Sequence, residues 1–461
     1  MGKVFYRPEG ALADAIPFYD RKNDKFFVFY LHDYRNVEQH GVGVDWDLLT
    51  TRDLAMYEEH GVALPRGSME DRDLFVFTGS VIEYEDVYYI FYTGFSPFGA
   101  EKGIANQCVL RAKSKDLVHW EKDPFFCWEA PSEGYARHDW RDPFVYFCEA
   151  TGRYHMLLAG RKAECGAFEE GGVTVLCSSK DLEHWQLESD LWDPNLYYTH
   201  ECPDLFRMGQ WWYMIYSEYS HKHLTRYLVS KDCVHWERPV NDALDGTLYY
   251  AAKSASNGEK RYLFGWIATR EGDSDQGEPQ WGGSLAVREL YQLPDGTLAC
   301  CIPQSVQALH KGVAQTAEDV TIDAHAKREF LWLFPEGGNC MVTCTAQVYS
   351  GDGEFGLAIT TQDGKTSYCF TVNPYDSMVT LEKKPNVDIK TKYTNCSNRI
   401  GGELSDTYEL ILIHEDGVTQ LCVNGTTMLS GRFYSDEPVG ISFFADNCRV
   451  ELRDIELHKQ N

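Results

Sequence analysis

The sequence predicts an all-β protein: a five-bladed β-propeller over residues 1–304, a linker or short helix at 305–318, and a β-sandwich over 319–461. Three observations carry this expectation. Short apolar and aromatic runs alternate with Gly, Asn and Asp turns, which is the texture of strands and hairpins. A turn motif recurs about every 50 to 65 residues, the period of propeller blades. Past about residue 305 that motif disappears and the alternation becomes stricter, as in a sandwich whose strands have one face in and one face out.

The units follow one another in the same order. The first opens on "ALADAIPFYDRKNDKFFVFYLHD" (11–33) and closes on the degenerate turn "TTRDLAMYEEH" (50–60). The second opens on "GSVIEYEDVYYIFYTG" (79–94) and closes on "SKDLVHW" (114–120). The third and fourth pair "PFVYFCEATGRYHMLLAG" (143–160) with "SKDLEHW" (179–185), and "PDLFRMGQWWYMIYSEYS" (203–220) with "SKDCVHW" (230–236). A fifth, "TLYYAAKSASNGEKRYLFGWIATR" (247–270) followed by "WGGSLAVREL" (281–290), lacks the Ser-Lys-Asp turn. Because this turn recurs from blade to blade, it serves the blade: Asp53, Asp116, Asp181 and Asp232 bond their own backbone, and Trp120, Trp185 and Trp236 pack between blades.

"SVQALHKGVAQTAED" (305–319) is the linker or short helix. The sandwich strands follow, among them "CMVTCTAQVY" (340–349), "SYCFTVN" (367–373) and "YELILIHEDGVTQLCVNG" (408–425). No cluster of acids, histidines or basic residues marks a site in that last hairpin. The sandwich is expected to support the propeller and to be the place of contact between copies if the chain forms a homo-oligomer, with carbohydrate binding as the alternative.

Composition narrows the functional classes. Of 461 residues, 43 % are hydrophobic and 14 % aromatic, enough for one large or two ordinary cores. A formal net charge of −27 repels phosphate backbones and anionic lipid, which speaks against nucleic-acid or membrane-surface partners. No run of eighteen apolar residues could form a membrane span, and "MGKVFYRPEG" lacks the apolar stretch of a secretory signal. The 15 cysteines show neither CxxC pairs nor zinc-ligand spacing, so reduced thiols, a cytoplasmic setting and no bound metal are expected.

The acids at strand heads carry the chemistry. In a propeller the first strand of each blade lines the central channel, so Asp14, Asp142 and Glu201, heading the first, third and fourth units, converge there despite their distance in sequence. Paired carboxylates suit glycoside cleavage: one protonates the departing oxygen while another attacks the anomeric carbon or activates water. With 12 Trp and 28 Tyr, the chain also has rings on which a sugar could stack. The expected partner is a small carbohydrate, and no cofactor is needed.

"FTGS" (77–80), "WRDPFVY" (140–146) and "HECPDLF" (200–206), in that order, resemble motifs of the glycoside hydrolase family 32 enzymes: invertases, inulinases, levanases and sucrose-6-phosphate hydrolases. "DGTLYYAAKSA" (245–255), "LFGWI" (263–267), "WGGSLAVREL" (281–290) and "LPDGTL" (293–298) extend the likeness along nearly the full chain. The resemblance implies the propeller-plus-sandwich architecture and places Asp14 as nucleophile, Glu201 as general acid/base and Asp142 as the group holding fructose hydroxyls. It also implies that Arg141 neighbours the sugar and helps keep Asp142 ionised, that Phe77 and Ser80 contact fructose, and, more weakly, that Cys202 and Trp281 do so.

The departure is at the first motif. Where the family usually reads Trp-Met-Asn-Asp-Pro-Asn-Gly, this chain reads "ALADAIP", and Leu31 stands where Gln is common. His32 and Asp33 are candidates to supply the lost polar contacts, and a phosphorylated substrate is plausible, with basic residues such as Arg137 and Arg161 near the predicted channel. The resulting expectation is retaining hydrolysis of a terminal β-D-fructofuranosyl residue, from a sucrose, sucrose phosphate or fructo-oligosaccharide type of substrate. Glu201 is expected to need a raised pKa in an apolar setting beside Cys202. A glycosidase or transglycosylase acting on another furanoside, such as an arabinofuranoside, and a non-catalytic carbohydrate-binding propeller are the alternatives.

Overall fold

The computed structural model describes residues 2–325, 327–384, 396–402, 405–435 and 437–460. Five antiparallel blades surround one axis and a β-sandwich follows them. The inner strands of the blades are Ala11–Asp20, Phe75–Tyr84, Tyr135–Cys148, Thr199–Met208 and Tyr249–Ser256. Each is in contact with the next, and the fifth returns to the first, which closes the ring. Phe5–Tyr6 pairs with Pro279–Gln292 of the fifth blade, opposite Ala286 and Leu285, so the start of the described chain ties the last blade down.

The repeated turns do what their composition requires. Ser114 Oγ accepts from Leu117 N at 3.0 Å, and Asp116 Oδ1 accepts from Val118 N and His119 N at 2.9 and 2.8 Å. The same bonds recur at Asp181 and Asp232, and Thr51 with Asp53 reproduces them in the degenerate copy. Each such turn places a non-glycine residue at positive φ: Leu54, Leu117, Leu182 and Cys233 lie between 62° and 66°. The backbone donors aimed at Asp116 and Asp181 hold those carboxyls well below the usual range. Trp120 meets Phe29 of the first blade edge-on at 5.7 Å and Trp185 meets Phe91 of the second at 5.4 Å, so these indoles do lie between blades.

A second repeated feature concerns the channel. All five inner strands carry a β-bulge at the same depth, between Ala13 and Ala15, Phe77 and Gly79, Arg141 and Phe144, Glu201 and Asp204, and Tyr250 and Lys253. Four of the bulges hold a non-glycine residue at positive φ: Asp14 (22°), Asp142 (60°), Cys202 (51°) and Ala251 (50°). A bulge interrupts strict alternation and re-aims neighbouring side chains, so adjacent residues can both face the axis.

In the sandwich, Cys340–Thr361 pairs through its first half with Thr407–Glu415 and through its second half with Ser367–Asn373. It bends between the halves at bulges, as strands do when they pass from one layer to another. The stretch expected as linker contains a short helix, Gln304–Gln307, and a strand, Val313–Ala317, that pairs with the terminal strand Val439–Lys459. Propeller and sandwich are joined by buried polar contacts. Asp245 pairs with Arg288, both fully buried, and accepts from Ser430 N and Oγ of the sandwich at 2.9 and 2.8 Å. Asp245→Ala would strand the Arg288 charge, and we expect a loss of about 3–5 kcal/mol in denaturant unfolding; a loss below about 1 kcal/mol would refute that role for the pair.

Candidate active site

The bulges gather their residues into one pocket of about 570 Å³, lined by Asp14, Phe77 and Thr78, Arg141 and Asp142, Glu201, and Tyr250, one contribution from each blade in turn. Second strands and loops complete the wall.

Asp14 is half-buried and held on both oxygens. Trp266 Nε1 donates to Oδ1 at 3.0 Å and the Thr78 hydroxyl donates to Oδ2, with Cys202 Sγ at 3.8 Å from Oδ2. Burial pushes its pKa up, Thr78 and Trp266 oppose this, and the negative Glu201 adds to it. Glu201 is oriented by two donors: Arg141 Nη2 reaches Oε1 at 3.0 Å and the Tyr250 hydroxyl reaches Oε2 at 2.8 Å.

Asp142 sits beside Arg141, whose Nε is 3.9 Å from its Oδ2, and accepts from Cys202 N at 2.9 Å. Arg141 does favour the ionised form of Asp142, as expected, but burial outweighs it. Burial pushes Asp142 up to about 7; Arg141 counteracts this, and Glu201 reinforces it. Desolvation wins because the guanidinium is shared: Arg141 also meets Asp139 at 3.1 Å, Glu201, and Thr199 Oγ1 at 2.5 Å.

Phe77 and Trp281 line the pocket and meet edge-on at 5.8 Å. Three other candidates lie elsewhere. Ser80 is buried and its Oγ accepts from Val145 N at 2.9 Å, so it ties two blades together; Thr78 is the hydroxyl of "FTGS" that faces the pocket. His32 has both ring nitrogens engaged, Nδ1 with Asp47 Oδ2 at 2.9 Å and Nε2 with Glu9 O at 2.8 Å. Asp33 accepts from Arg35 N at 3.0 Å and reaches the pocket only indirectly, through Arg35, which donates to Gln280 Oε1 and to Trp281 O. Both lie on the second strand of the first blade, one strand out from the channel. Leu31 is fully buried in the core.

Sequence reasoning missed Thr78, Trp266 and Tyr250. Two signals could have found them. Tyr250 precedes a bulge residue as Glu201 and Arg141 do, and Trp266 stands directly across from Tyr250 in the fifth blade.

The family model of the Glycosyl hydrolases family 32 N-terminal domain matches residues 10–298. The raffinose invertase of Escherichia coli is 26% identical over 352 residues, 66% of this chain and 69% of that protein. The sucrose-6-phosphate hydrolase of Escherichia coli is 28% identical over 203 residues, 42% of this chain and 39% of its own length. Among solved structures, the exo-inulinase of Aspergillus awamori superposes with a TM-score of 0.78 at 15% identity, covering 100% of this chain and 98% of that one. The match to the N-terminal domain spans all five blades and every residue that meets in the pocket, and the chain therefore belongs to glycosyl hydrolase family 32.

Proposed function

We propose that the protein is a retaining β-fructofuranosidase, releasing a terminal β-D-fructofuranosyl residue from a fructoside. The observation that carries this reading is the division of contacts within one pocket. Asp14 is gripped by Thr78 and Trp266, while Glu201 is oriented from another side by Arg141 and Tyr250. One carboxylate is thus fixed for attack and the other for proton transfer. The relatives' names, invertase and sucrose-6-phosphate hydrolase, support the choice of fructoside.

In the first step Asp14 bonds to the anomeric carbon as the bond to the leaving oxygen breaks and Glu201 delivers its proton to that oxygen. In the second, water attacks the fructosyl ester, Glu201 takes the water's proton, and the Asp14 carboxylate is released. Four carboxylates, Asp14, Asp139, Asp142 and Glu201, line the pocket together with the Arg141 guanidinium. Asp142 lines the same pocket as Asp14 and Glu201 and, in this reading, holds sugar hydroxyls. All 15 cysteines are free, which supports a reducing, cytoplasmic setting.

The test is stereochemical. NMR of the product in the first minutes of reaction, before mutarotation, should show β-fructofuranose. An initial α-anomer would remove Asp14 from the role of nucleophile.

A further inference from the structure

The side of the pocket that receives the leaving group differs in character from the side that holds Asp14. The leaving oxygen must meet Glu201, so the leaving group lies against whatever borders Glu201. Those borders are aromatic. Tyr198 precedes Glu201 on its blade, Tyr219 pairs across from Thr199, and Phe168 packs on both, 5.0 Å from Tyr198 and 5.9 Å from Tyr219. All three rings line the pocket, and Phe168 is 54% exposed, leaving ring surface open to a ligand.

Charge on this side is unfavourable to an anion. Arg141 is the only Lys or Arg among the described lining residues, and its donors are directed at Asp139, Glu201, Thr199 and Gln107. His223, also in the lining, packs its ring against Tyr219 and Tyr250. Arg137 and Arg161 are not among the described lining residues. Arg137 donates to Gly103 O at 2.6 Å. Arg161 stacks on the Tyr198 ring at 4.2 Å and donates to Ala167 O and Glu170 O, which secures the segment that carries Phe168.

We propose that the leaving-group subsite takes an uncharged sugar stacked on the Phe168–Tyr198–Tyr219 surface, and that a sugar phosphate is disfavoured there. The inference rests on the fructosidase reading and deepens it. Sugar C–H groups gain from contact with ring faces, whereas a phosphate dianion would enter a pocket whose described lining holds four carboxylates and a single Lys or Arg, Arg141, in a protein of net charge −27.

Rates with sucrose, sucrose-6-phosphate and methyl β-D-fructofuranoside test it. We expect kcat/KM for sucrose to exceed that for sucrose-6-phosphate by about tenfold or more. Equal values, or a preference for the phosphate ester, would overturn the proposal while leaving the reaction assigned. Phe168→Ala should cost about tenfold more on sucrose than on methyl β-D-fructofuranoside, mainly in KM; equal losses on the two would show that Phe168 only shapes the wall and would overturn its role. If none of the three is hydrolysed, the fructosidase reading fails instead. Calorimetric titration with sucrose and with sucrose-6-phosphate then still decides the subsite, since tighter binding of the phosphate ester overturns the proposal and tighter binding of sucrose supports it.

Discussion

Asp14→Asn should lower kcat by about 10⁴-fold or more without unfolding the protein. The amide cannot form the fructosyl ester, yet it fits the site: its oxygen still accepts from Trp266 Nε1 and its NH₂ faces the Thr78 hydroxyl. Glu201→Gln should behave differently. It removes the proton donor, so the loss should be large, about 10²–10⁴-fold, on sucrose and small on an activated aryl fructoside whose leaving group needs no proton. Azide should partly restore turnover of Glu201→Gln, because a small anion can attack the fructosyl ester without a general base. Asp14→Asn forms no ester and should not respond in this way. Steady-state rates on both substrates, with and without azide, separate the two roles. Equal losses of Glu201→Gln on good and poor leaving groups would count against its assignment.

Asp142→Asn should uncouple activity from stability in opposite directions. Activity should fall by about 10²–10³-fold, the scale of removing one transition-state contact. Stability above neutral pH should rise. In the folded protein burial lifts the Asp142 pKa to about 7 from an ordinary value near 3.8, so the native state binds the proton more tightly than the unfolded chain. Native stability therefore falls as pH climbs from about 4 to about 7. The variant has no proton to lose and escapes that fall. At pH 8 it should gain about 2–4 kcal/mol relative to pH 4, and its amide oxygen still accepts from Cys202 N. Arg141 keeps Asp139 and Glu201 as partners, which limits the cost of removing one carboxylate beside it. Denaturant unfolding across this pH range is the measurement. Parallel stability curves for the parent and Asp142→Asn would refute the lifted pKa.

The chain's repeats made the propeller legible because each blade needs the same local chemistry. Ser114, Asp116 and Trp120 recur as Ser179, Asp181 and Trp185 since the turn must satisfy its own backbone donors and the indole must fill the space against the preceding blade. Asp14, Asp142 and Glu201 were legible for the opposite reason: they break an otherwise apolar pattern at a constant phase of that repeat.

The second tier of the site was not legible, and the bulges explain why. Along a regular strand, side chains alternate between faces, so a residue two positions on from a site residue shares its face. The bulge between Phe77 and Gly79 breaks that count, turning Thr78 toward Asp14 and leaving Ser80 to bond Val145 of the third blade. His32 was a reasonable substitute for a lost Asn by chemistry alone, but its neighbour Asp47 lies on the third strand and draws the ring outward. Which aromatic rings gather next to Glu201 was equally hidden, because Phe168, Tyr198 and Tyr219 come from three separate segments.

By itself the sequence determined the all-β class, the blade repeat, the turns that space it and the three acids at strand heads, because each is a local pattern of polarity and turn chemistry. Only the tertiary structure decided which hydroxyl and indole grip Asp14, that Arg141 is divided among several partners and loses to desolvation at Asp142, and that Phe168, Tyr198 and Tyr219 share one wall of the pocket. Those outcomes depend on distances between segments that only ring closure brings together, and on how deeply water is excluded once they meet.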